Sequence, residues 1–87
     1  MSTNKNATIA SYVESLSYGD LEFLYTRYKR DWAGAKAEIG SFLEKNESIR
    51  ELLTSASSHK EYNSINDEIR SEVIRFSEKK GVQEKLY

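Results

Sequence analysis

The stretch LEFLYTRYKRDWAGAKAEIGSF, Leu21 to Phe42, decides how this chain is read. Its apolar and aromatic residues fall at Leu21, Tyr25, Tyr28, Trp32, Ala35, Ile39 and Phe42, in steps of 4, 3, 4, 3, 4 and 3. Such steps keep side chains on one face of an α-helix, whereas a strand repeats every two residues. Four of the seven are aromatic, so the face is bulky and partly polar, and something must cover it. The spacing predicts one long helix from about Asp20 to Lys45. Gly34 and Gly40 fall inside it, each costing roughly 1 kcal/mol relative to alanine. Both lie beside the seam, where a missing side chain either admits a second backbone or is a tolerated weak point.

Upstream, residues 1–7 are small and polar and are read as a disordered tail. Thr8 can cap a short helix with Ile9, Tyr12, Val13 and Leu16 on one face. Ser17 and Asp20 have the spacing of a capping box for the long helix, and Gly19 permits a turn between the two. Downstream, Asn46 falls on the seam register. Asparagine packs poorly in a core but ends or caps helices well, so a turn is expected near 46–48, with a continuous helix as the alternative. Ser48 and Glu51 form a second capping box for a short helix carrying Ile49, Leu52, Leu53 and Ala56. Ser58 and Glu61 form a third. The last helix carries Tyr62, Ile65, Ile69, Val73 and Phe76, with Asp67/Arg70 and Glu72/Arg75 as i,i+3 charge pairs on its outer side. Gly81 after Lys79-Lys80 is a stop signal that Val82 can close with an apolar contact. The expected fold is all-α: a small antiparallel helical bundle of three to four helices, two long and two short. It occupies residues 8–81 as one domain, with 82–87 as a tail.

Composition bounds function. Eighty-seven residues make one core and no second one. The chain has no cysteine, which removes disulfides and thiolate metal sites and fits a reducing, cytoplasmic setting. The formal net charge of −1 lacks the basic excess typical of a nucleic-acid binder. No apolar run approaches the ~18 residues of a membrane span, so no membrane partner is expected. The N-terminus lacks the apolar centre of a secretory signal.

The candidate contact residues are Tyr25, Arg27, Tyr28, Arg30 and Trp32. Arg27, Lys29 and Arg30 are interleaved with aromatic residues, a mixture that suits protein interfaces and also phosphate-and-base surfaces. The bland alternative is a packed face with a solvated rim, in which arginine stems cover apolar surface. Six tyrosines, at 12, 18, 25, 28, 62 and 87, favour half-buried positions because each hydroxyl needs a partner. His59, the only histidine, follows Ser57 and Ser58 in a capping turn and reads as an exposed side chain rather than a base. No ligand spacing for a metal, cofactor loop or catalytic constellation is present, so neither a cofactor nor an enzyme is expected.

Trp32-Ala33-Gly34 is similar to the Trp-x-Gly tripeptide of a family of small secreted helical-hairpin proteins, where it lies in the turn between two helices. The likeness covers three residues. That family's second signal, Tyr-x-x-x-acid, is not met, since Tyr62 is followed four places later by Asn66, and no family is assigned. The expected function is a protein–protein interaction module, a regulator or inhibitor that binds another protein and also pairs with a second copy of itself. The alternative is a small nucleic-acid-binding transcriptional regulator that uses Arg27, Lys29 and Arg30.

Overall fold

The structure is a computed structural model that describes residues 5–84. Among the described residues there are five helices and no strand: α1 (Lys5–Glu14), α2 (Tyr18–Arg30), α3 (Lys36–Leu43), α4 (Glu47–Thr54) and α5 (His59–Lys79). The all-α expectation holds, and the count of three to four helices is corrected to five. No helix among the described residues is long and apolar enough to cross a membrane.

The extra helix comes from a break in the long one. Asp31 leaves helical geometry at φ −153°, ψ 74°. Its carboxylate accepts a hydrogen bond from the Gly34 N–H at 3.0 Å. Aspartate competes in this way with the helical ladder, closing a local turn on its own side chain. A Cβ on Gly34 would lie 2.1 Å from an Asp31 carboxylate oxygen, so any other residue here displaces that side chain. The break is concealed in the sequence because the helical path resumes at once. Ala35 N–H donates to the Asp31 carbonyl and Ile39 N–H to that of Ala35, both at 2.9 Å. The 4-3-4-3 register of the seam therefore runs through the turn unchanged.

The other boundaries follow local chemistry. Residues 5–7 are helical, not a tail, and Thr8 lies inside α1 rather than capping it. Lys5 Nζ, 3.4 Å from the Glu68 carboxylate, ties that first turn to α5. Ser17 caps α2 by accepting from the Asp20 N–H at 3.1 Å, and Gly19 lies in that helix's first turn. The turn expected near Asn46 is present. Asn46 itself, not Ser48, is the cap, accepting from the Ile49 N–H at 3.0 Å. Ser58 caps α5 through the Glu61 N–H at 3.1 Å. The Glu61 carboxylate reaches back one residue further than a capping box requires, to the Ser57 N–H and hydroxyl at 2.9 and 2.6 Å. Those two donors hold its pKa below the ordinary carboxylate value. At the far end Gly81 adopts φ +77°, Val82 N–H donates to the Ser77 carbonyl at 2.8 Å and Gly81 N–H to that of Glu78 at 3.2 Å. This is a Schellman closure. Val82 joins the core, so the domain extends past 81. Residues 1–4 and 85–87 of the expected tails lie outside the described residues.

α5 is the hub. It packs against α1 and α2 and, less extensively, α4. Ile65, Ile69 and Val73 of α5 meet Ile9 and Val13 of α1, Leu21, Leu24 and Tyr28 of α2, and Ile39, Leu43, Ile49 and Leu53 in one cluster. α2 and α5 run in opposite senses, since Tyr25 meets Glu78 while Trp32 shares a groove with Tyr62. Of the seven seam residues, only Trp32 and Phe42 are less than fully buried. The chain covers its own seam, which removes the premise from which a second copy was expected.

Candidate functional site

The residues expected to form a contact surface separate in the structure. Tyr28 is 1% exposed and has no surface to present to a partner. Burial pushes its phenol far above the ordinary value, the neighbouring Tyr12 adds to this, and Arg70 opposes it. Its hydroxyl meets no hydrogen-bond partner among the described residues. Tyr25 is also buried, with its hydroxyl donating to Glu78 at 3.2 Å. Burial, then that carboxylate, raises its pKa.

The basic rim is largely committed within the fold. Arg27 lies with its guanidinium 3.6 Å from the centre of the Phe23 ring. It donates to the Phe23 carbonyl at 3.2 Å and to Glu38 at 3.0 Å. Its side chain is 21% exposed, and it acts as a strut from α2 to α3. Lys29 sits 3.8 Å from Glu78. Only Arg30 of the three is exposed and outside the ion pairs of the described residues. On α5, Glu72 and Arg75 pair as expected. Asp67 and Arg70 do not pair in the described structure, and the Arg70 guanidinium is close enough to Tyr28 to act on its phenol.

Trp32 belongs to a different surface. It is half-buried, against Tyr28 on one side with ring centroids 5.0 Å apart, and under Lys36 on the other, Nζ 5.3 Å from the ring centre. α3 does not pack closely along α5, and the space left between them is a groove of about 290 Å³. Lys36 and Gly40 of α3, with Trp32 from the turn before it, form one wall; Tyr62, Asn63, Asn66 and Asp67 of α5 form the other. Tyr62 is 39% exposed rather than part of the core, and it shares with Tyr18 the distinction of being an exposed large apolar residue. Its ring lies nearly parallel to that of His59, which is exposed at the start of α5 as expected. Gly40 keeps its side of the groove open, for a Cβ there would touch nothing within 4 Å.

A larger hollow, about 560 Å³, lies between α1 and α5. It is wider to solvent and lined by Ile9, small side chains, Arg75 and the carboxylates of Asp67, Glu68 and Glu72, without an aromatic wall. The α3–α5 groove is the better candidate because aromatic walls with a few convergent polar groups are what recognition sites share. The sequence pattern marks Trp32 as a contact residue and does not join Tyr62, Asn63 and Asn66 to it. The signal for Tyr62 was its place in the first turn of α5, where an apolar stripe begins before the core does. Among the described residues no group of His, Cys, Asp and Glu side chains could hold a metal ion.

Comparison of the chain with protein-family models, with curated proteins and with solved structures finds no match. Trp32-Ala33-Gly34 does lie in a turn between helices, but the likeness noted for it stays at three residues.

Proposed function

We propose that this chain is a small helical interaction module that regulates or inhibits another protein by binding it through the α3–α5 groove. The observation that carries this reading is the pairing of a half-buried Trp32 with an exposed Tyr62 across a concave surface. Tryptophan and tyrosine are the residues most enriched at the energetic centres of protein interfaces, and they act best in recessed, desolvated positions. The nucleic-acid alternative has less support. Glu38 and Glu78 neutralise Arg27 and Lys29, and Asp67 stands in the groove wall.

Affinity capture from the source cell tests the reading, with the parent chain and a Tyr62→Ala, Asn63→Ala double variant as baits. A protein recovered stoichiometrically with the parent and lost with the variant supports it. Recovery of nucleic acid instead, with salt-sensitive gel shifts, would replace it with the alternative.

A further inference from the structure

We propose that the α3–α5 groove accepts an extended peptide segment, with an apolar anchor side chain between Trp32 and Tyr62 and an acidic side chain against Lys36. This rests on the reading of the chain as a protein-binding module and names what the groove would hold.

Size comes first. The groove's volume of about 290 Å³ falls at the lower edge of the roughly 300–1,000 Å³ range of small-molecule sites. A docked amphipathic helix sets anchors at i, i+3 or i+4 and i+7 along a groove, and this volume has room for about one. One anchor side chain with the backbone on either side is a better match. The polar lining has the same character. Asn63 and Asn66 lie three residues apart and so share a face of α5. Each carboxamide presents both a donor and an acceptor, the complement of a peptide C=O and N–H. Asn66 uses one N–H on the Tyr62 carbonyl at 3.2 Å, which fixes the amide's orientation and leaves its oxygen free. The Asn63 side chain makes no hydrogen bond among the described residues. A segment lying along α5 would meet both amides.

Charge sets the direction. Lys36 is the first residue of α3, and its cap Ala35 supplies no side-chain acceptor, so the positive end of that helix is left open beside the lysine. Lys36 takes part in no ion pair among the described residues; its ammonium is held over the Trp32 ring. An acidic side chain there would gain a partner without displacing one. Asp67 on the opposite wall disfavours a second acidic group and any run of phosphates. One available lysine facing an aspartate is a poor track for a nucleic-acid backbone, which binds through several cations.

The test begins with a random short-peptide library displayed against the full chain. Selected peptides are then titrated into the ¹⁵N-labelled protein. The expected result is a motif of an aromatic or long aliphatic residue with an acidic neighbour. Saturable shifts are expected at the Trp32 indole N–H, the Gly40 amide and the Asn63 and Asn66 side-chain amides. Replacing the anchor by alanine should weaken binding roughly tenfold or more. Lys36→Glu should exchange the acidic preference for a basic one. Gly40→Leu should plug the groove and abolish the shifts while the amide spectrum stays that of the folded protein. The proposal fails if no peptide gives saturable shifts at about 1 mM, or if the shifts map to α1 and α4. It also fails if Gly40→Leu binds as the parent does, or if an oligothymidylate moves the groove resonances more than peptide. A partner protein captured through another face would sink this proposal and the groove's part in the proposed function, and would leave only the general protein-binding role standing. Groove binding of peptides with no cellular partner would do the reverse.

Discussion

Asp31 and Gly34 work as a pair, and their coupling is measurable. The Gly34→Ala Cβ would collide with the Asp31 carboxylate, which can rotate away only by giving up its bond to the residue 34 N–H. The cost is about 1 kcal/mol, the value of a local cap. In an Asp31→Ala background the collision and the bond are both absent, and Gly34→Ala should be neutral or slightly stabilising. Equal costs in both backgrounds, read from chemical denaturation, would show that the turn is not held by this side chain. Tyr12 supplies a second residue-scale outcome. Burial, and secondarily the Asp20 charge, raises its phenol from 10.0 to about 12. Between these values the folded chain binds the proton that the unfolded chain has lost, so stability falls as pH rises through that window. A displacement of about two units is worth about 2–3 kcal/mol. Tyr12→Phe should therefore lessen the dependence of the denaturation midpoint on alkaline pH, leaving the part that the buried Tyr25 and Tyr28 contribute. An unchanged slope would mean that Tyr12 ionises freely in the folded state.

α3 is fastened from outside as well as from the core. Ile39 and Leu43 point inward, while Arg27 crosses from α2, stacked on Phe23 and bonded to Glu38. The sequence pattern groups Arg27 with Arg30 on one basic rim. The structure separates them. Arg27→Ala should cost about 1–2 kcal/mol through lost stacking and hydrogen bonds and speed amide exchange across α3. Arg30→Ala should stay within about 0.5 kcal/mol. Matching melts for the two variants would remove Arg27 from its role as a strut. The caps at Ser17 and Ser58 and the closure at Gly81 were legible because each rests on a few adjacent residues; the turn near Asn46 was legible too, although the capping pattern pointed to Ser48 and the cap is Asn46. The Asp31 break was not legible. Its signal, an aspartate three before a glycine, is equally short, but an uninterrupted apolar register overrode it. Periodicity reports which face is buried, and a turn that keeps the i→i−4 path leaves that face unchanged.

At the scale of the molecule, five helices bury most of the aromatic seam; of its two half-buried members, Phe42 stacks on Phe23, while Trp32 borders the groove where α3 stands away from α5. The all-α class and the core face could be read from spacing, since both depend on local pattern. The groove could not, because Trp32 and Tyr62 are brought together only by the opposed course of α2 and α5 after the chain turns at Asp31. The most direct test of the claim that this surface meets a partner protein is site-specific photo-cross-linking in the source cell. A benzophenone amino acid replaces Tyr62 in one chain and Ser71, which lines the α1–α5 hollow, in another. The account predicts a discrete cross-link to one protein from position 62, lost when Gly40→Leu is added, and none from position 71. Cross-linking at 71 without 62, or adducts at 62 that resist the Gly40→Leu plug, would contradict it.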